Sequence, residues 1–138
     1  MSEPRERQAI RYLRTSDGVR LAWAEAGRGR TLVKAANWLS HLELEWQSPV
    51  WRHWIRFFSE HFRLVRYDER GCGMSDWAVG DLGQSRWAAD LEEVVAASRV
   101  CEELAAARRA LAAAQATIAT LETERDSLAA RIRRMTCD

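Results

Sequence analysis

From Gln84 to Asp138 the chain contains no glycine, proline, tyrosine or phenylalanine. All seven glycines lie at or before Gly83, both prolines (Pro4, Pro49) before residue 50, and all seven tryptophans at or before Trp87. The missing breakers argue against tight turns after Gly83, where alanine, leucine, arginine and glutamate favour helix. Turns and aromatics are confined to the first part, so the chain joins two kinds of sequence near residue 98.

An excess of one charge is also missing. The formal net charge is +1, with 47% hydrophobic and 30% charged residues, which are globular values. Residues 1–98 hold 14 basic and 14 acidic side chains and residues 99–138 hold 7 and 6, so neither part is polarised. This argues against a nucleic-acid partner or an anionic membrane partner, each of which needs a basic face. No run approaches the ~18 apolar residues needed to span a bilayer. The first residues, Met1 to Arg7, are polar, with no apolar signal segment behind them. Cys72, Cys101 and Cys137 are odd in number and lack metal or disulfide spacing. A soluble cytoplasmic protein with reduced thiols, no metal and no cofactor is expected.

In the first part, Ile10–Leu13 and Val19–Ala26 alternate in polarity about a turn at Thr15–Gly18, which predicts a hairpin. Thr31–Ala36 suits a short buried strand. Beyond a loop, Trp51, Trp54, Ile55 and Phe58 fall at i, i+3, i+4 and i+7, predicting an amphipathic helix with both tryptophans in the core. Phe62–Tyr67 reads as a further strand, closed by Asp68. Strand–helix–strand order implies parallel pairing.

In the second part the apolar residues follow a heptad. With Leu104 at a, the a positions are Ala97, Leu104, Leu111, Ile118, Arg125 and Ile132; the d positions are Val100, Ala107, Ala114, Leu121, Leu128 and Met135. Eleven of the twelve are apolar, which a period of 3.6 does not sustain for so long. Leu104, Leu111, Ile118, Leu121, Leu128 and Ile132 are the candidate coiled-coil core. A helix from Gln84 to Met135 is ~78 Å long, and its stripe calls for self-association or a helical partner through 98–135. Glu103 at g and Arg108 at e could pair across a parallel dimer, but helix direction stays open.

The sharpest local signal is Asp68-Glu69-Arg70-Gly71-Cys72-Gly73-Met74-Ser75, directly after a predicted strand. Glycines at 71 and 73 permit a tight strand exit, and Asp68, Arg70 and Ser75 can satisfy loop amides. The octapeptide resembles the D-x-R-G-x-G-x-S turn after the fourth strand of α/β-hydrolases. Thr15–Ala22 resembles the hairpin that opens those domains, Asn37–Glu43 the loop after their third strand, and Asp90–Val95 the helix before their nucleophile strand. The pieces follow in family order over residues 10–97. The resemblance implies an α/β fold: a partial hydrolase sheet of about four strands, followed by a long C-terminal helix or coiled coil. The divisions expected are a polar tail (1–9), a partial hydrolase domain (10–97) and a coiled-coil-like helix (98–138).

The resemblance also implies chemistry that the residues do not supply. The family's nucleophile sits on a G-x-S-x-G elbow, with the triad acid and histidine later in the chain. No such elbow occurs here, and Gly73-Met74-Ser75-Asp76-Trp77 ends in tryptophan. No catalytic residue is therefore assigned. His53 reads as a surface residue, His61 as a structural residue before the fourth strand, and His41 as a loop hydrogen-bonder. By resemblance, Asn37 and Trp38 are the oxyanion-loop candidates: Trp38 would supply the N–H, and Asn37, in a position usually glycine, tolerates a left-handed backbone. Trp38 and Trp46 are the tryptophans suited to an exposed pocket wall. Three readings stay open: a hydrolase-like chain of ester-hydrolase ancestry, truncated before its nucleophile and inactive alone; a coiled-coil adaptor with an α/β headpiece; or an enzyme completed by a partner. No small-molecule ligand can be named.

Overall fold

The computed structural model describes residues 8–37 and 39–135, with the backbone alone at Met135. Contacts divide the chain into two units, Met1–Ser98 and Arg99–Asp138. The first contains strands β1 (Ala9–Arg14), β2 (Arg20–Ala26), β3 (Thr31–Lys34) and β4 (Arg63–Tyr67), with helices α1 (Leu42–Gln47) and α2 (Arg52–His61) between β3 and β4. Helix α3 (Gln84–Met135) begins in the first unit and supplies the second. Ala9 belongs to β1, so the strand starts inside the stretch expected to be tail.

The sheet order is β1-β2-β4-β3. The hairpin pairs β1 with β2 antiparallel, with Tyr12 opposite Ala22. Strand β2 then runs antiparallel to β4, with Trp23 opposite Tyr67, and β3 joins β4 in parallel, with Val33 opposite Val65. The polarity alternation expected for the hairpin is not matched by burial on β1, an edge strand, where Ile10, Arg11 and Leu13 are all half-buried and Tyr12 is exposed. On β2 it fails differently: Leu21, Ala22, Trp23 and Ala24 are all buried, because neighbours lie on both sides and elements cover both faces.

All five residues of β4 are buried, including Arg63 and Arg66, which face opposite sides of the sheet. Arg63 reaches Glu25 (Nε to Oε2, 3.1 Å) and the Ser98 carbonyl (3.0 Å) on α3. Arg66 reaches Glu45 on α1 (2.7 Å) and Gln8 (2.7 Å). A cation buried in a strand must be paired, so these side chains fasten a helix to each face. Ala22, Ala24 and Leu42 form an apolar cluster against which Ile10 and Met74 pack.

Helix α1 occupies a segment read from sequence as loop. It has only six residues, and its local signals are an N-cap at His41 and acidic Glu43 and Glu45 in the first turn. Such a short helix has no periodicity to detect.

Helix α2 forms where the apolar spacing predicts it, but its buried face differs. Ile55 and Ser59 are buried, whereas Trp51 is 39% and Trp54 53% exposed. The placement of both tryptophans in the core is therefore corrected. Ser59 is buried by backbone proximity. Gly27, at φ +79°, leaves β2 so close to the end of α2 that a Cβ there would lie 2.0 Å from the Ser59 carbonyl and 2.2 Å from that of Phe62. Only small groups fit such an approach. Trp54 instead stacks on Phe58, centroids 6.3 Å apart, and the Lys34 ammonium lies 5.9 Å from the Trp51 ring.

Gly27→Ala is expected to cost about 3 kcal/mol or more, because rigid backbone must move. Gly18→Ala, also at positive φ but with open space around it, is expected to cost only about 1 kcal/mol of left-handed strain. Urea midpoints of the two variants check the difference, and equal losses would contradict the close-packing argument.

Candidate functional site

Strands β3 and β4 are parallel, so the loops leaving them emerge at the same edge of the sheet, where ligands of open α/β sheets bind. The sequence 68–75 forms the β4 exit. The Asp68 N–H donates to the Ala22 carbonyl (3.0 Å), prolonging the pairing with β2 by one step. The Asp68 carboxylate is fully buried, and its Oδ2 accepts from the N–H groups of Leu42 (3.1 Å) and Met74 (2.9 Å). One side chain thus ties the loop after β3 to the loop after β4.

Gly73 packs directly on that carboxylate. At φ +51°, a Cβ there would lie 2.2 Å from Asp68 Oδ2. Ser75 closes the turn: its hydroxyl donates to the Asp68 carbonyl (2.6 Å) and accepts from the Ala22 N–H (2.9 Å). Glycine at 73 and a hydroxyl at 75 are therefore steric and hydrogen-bonding requirements of one turn.

Arg70 is 1% exposed and holds three segments together. Its Nε and Nη2 donate to the two oxygens of Asp90 on α3 (2.7 and 2.8 Å). Its Nη1 and Nη2 donate to Asp17 in the hairpin turn (2.9 and 3.1 Å), and Nη1 also reaches the Asp81 carbonyl (3.3 Å). The planar fork of arginine permits two bidentate pairs at once, which an ammonium cannot supply. The bonds to Asp90, then those to Asp17, hold the guanidinium well above its ordinary pKa. Arg86 extends the cluster to Glu93 (2.7 Å), which accepts from Ser16 of the hairpin turn (2.9 and 3.0 Å).

The two loops also meet beside Tyr67 and Cys72. Burial pushes the Tyr67 phenol above its usual pKa, against a hydrogen bond with the Ala36 backbone. Burial likewise pushes the Cys72 thiol up, opposed by a hydrogen bond with the Leu39 backbone. A raised thiol is a poor nucleophile. Neither contact between the loops was legible in sequence, since nothing local links residues so far apart.

Of the oxyanion-loop candidates, Trp38 lies outside the described residues. Asn37 is exposed and its side chain accepts from the Lys34 ammonium. Burial lowers the Lys34 pKa. Among the described residues of this loop Leu39, at φ 61°, is left-handed, and Asn37 is not. The residue best suited to the conformation is therefore not the one that adopts it.

Among the histidines, His41 caps α1, its Nδ1 accepting from the Leu44 N–H (3.4 Å). His61 bonds the Phe57 carbonyl (2.8 Å), and His53 is exposed. Trp46 is half-buried on α1. Among the described residues no group of three His, Cys, Asp or Glu side chains is placed to hold a metal, and no helix is long and apolar enough to cross a membrane. The heptad residues Leu104, Leu111, Ile118, Leu121, Leu128 and Ile132 are 50–60% exposed.

The sheet order, the parallel β3–β4 pair and the anchored β4 exit fit the partial α/β-hydrolase sheet that the sequence resembles. A hydrolase from Pseudomonas aeruginosa PA01 is similar in structure, with a TM-score of 0.56 and 29% identity over 66% of this chain. The chain spans about one third of that hydrolase, 33% of its length. Two further structures are similar over shorter stretches, each 24% identical: a mutant of VrEH2 (TM-score 0.42, 53% of this chain and 21% of that one) and an epoxide hydrolase from hot-environment metagenomes (0.38, 49% and 22%). No protein-family profile and no curated protein matches the chain.

Removing Arg70 leaves Asp90 buried without its partner, so Arg70→Ala is expected to cost about 3–5 kcal/mol. Adding Asp90→Asn should cost less than the sum of the single changes. A double-mutant cycle by urea unfolding measures this, and strict additivity would contradict the pairing. The Asp17 carboxyl is held well below the usual carboxylate range, by Arg70 first and Thr15 next. Unfolded, it titrates near ~3.9. Its contribution to stability is therefore full above about pH 4 and is lost as pH falls through the lower folded value. Stability should decline below about pH 4, more steeply in the natural chain than in Asp17→Asn, as thermal unfolding across that range would show.

Proposed function

We propose that residues 9–98 are the structural half of an α/β-hydrolase-type site of ester-hydrolase ancestry, and that this chain alone does not catalyse hydrolysis. The observation that carries the reading is the state of Ser75. It is the serine in the nearest approach to a nucleophile elbow, yet it is 3% exposed with its hydroxyl both donating and accepting. A nucleophilic serine needs an accessible oxygen and an adjacent base. Cys72 is no substitute, with its thiol pKa raised. The β4 exit is built as a scaffold: Asp68, Arg70 and Ser75 each bond other parts of the fold.

The heptad stripe favours a second reading, in which residues 99–135 associate with a second copy and the α/β unit is a headpiece. Large aliphatics about half exposed at regular spacing leave apolar area in water, on the order of 1 kcal/mol for each on burial. In the second unit, from Arg99 to Arg134, no residue is buried.

The first reading is tested with purified full-length chain, a chromogenic ester and a serine-reactive fluorophosphonate. Turnover no faster than that of Ser75→Ala, with no covalent labelling, is expected. Stoichiometric labelling that tracks ester hydrolysis would overturn it.

A further inference from the structure

Helix direction in the second unit is decided by which side chains each arrangement brings face to face. The stripe of Leu104, Leu111, Ile118, Leu121 and Leu128 is 50–60% exposed, and Glu103, Arg108, Glu122, Arg125 and Arg131 around it are exposed as well. In a parallel pair each core residue meets its own copy. Arg125 would then sit against Arg125, and Ala107 and Ala114 against themselves, giving one layer of like charge and two thin layers. Only Glu103 would find an opposite charge, on Arg108.

An antiparallel pair puts a opposite d. With the two-fold axis beside Ala116, Leu104 faces Leu128 of the second copy and Leu111 faces Leu121. Ile118 faces Ala114, and Arg125 faces Ala107. Leucine layers remain full, the larger side chains meet alanines, and the arginine stem lies along a methyl group while its charge reaches water. The flanks agree in the same register. Glu103 comes opposite Arg131, and Arg108 opposite Glu122, each twice by symmetry. No two like charges face one another among these positions. Four core pairs and two flanking pairs fit one register without adjustment.

We infer that residues 99–135 form an antiparallel two-helix dimer with a second copy of this chain, centred on Ala116. The inference rests on the self-association reading above and adds direction and register to it. The occupant is a second copy because the stripe and its flanking charges are self-complementary about one axis.

Sedimentation of the full chain tests association, and disulfide trapping tests direction. In a chain carrying Cys101→Ser and Cys137→Ser, Thr117→Cys places a thiol at g beside its own copy when the helices are antiparallel. In a parallel pair the same positions lie on opposite flanks. Ala114→Cys is the opposite probe, since parallel helices bring residue 114 against itself. A dimer in which Thr117→Cys links to itself faster than Ala114→Cys is expected. The reverse order would overturn the antiparallel arrangement while leaving self-association intact, and a monomer at about 100 μM, a concentration at which even ~5.5 kcal/mol of association would be visible, would overturn both. As a check without cysteines, Glu103→Arg should raise the dimer Kd about tenfold. Adding Arg131→Glu should restore it, whereas restoration by Arg108→Glu would signify parallel helices.

Discussion

The guanidinium of Arg70 holds the hairpin turn, the β4 exit and the start of α3 together. It lies in the interior, where an unpaired cation is prohibitively costly, so the fold must bring acceptors to it from elsewhere. Asp17 arrives from the β1–β2 turn and Asp90 from the second turn of α3, with the Asp81 carbonyl between them. Three distant segments converge because one planar group needs all of them. The pairs are stiff for the same reason, since bidentate geometry fixes angle as well as distance.

Asp68 has the same logic on a smaller scale. Its carboxylate takes amides from both loops at the sheet edge, and Gly73 is the residue that lets the chain pass over it. The edge of the sheet is thereby closed by one buried carboxylate, and Ser75 beside it is buried as well. The β2–α2 contact at Gly27 is equally close, and Ser59 is the buried residue of α2 beside it. Small residues at backbone approaches and charged residues in the interior shape this unit more than its large aromatics do.

Helix α3 does two jobs along its length. Asp90, Val94 and Ser98 recur every four residues and are buried in the first unit. Beyond Ser98 that stripe gives way to an exposed heptad. A single helix can therefore continue past the fold it completes, because its backbone hydrogen bonds are internal and make no demand on the packing around it.

Sequence alone determined the features whose cause is local. Turn residues placed the hairpin, the spacing of Trp51, Trp54, Ile55 and Phe58 placed α2, the run without breakers placed α3, and Asp68 to Ser75 declared the β4 exit and with it the family resemblance. The β1-β2-β4-β3 order, the face that α2 buries, helix α1, the left-handed backbone at Leu39 and the convergence on Arg70 were decided by tertiary structure. Each of these depends on groups far apart in the chain, and a pattern confined to neighbouring residues carries no record of which distant carboxylate will meet a buried arginine.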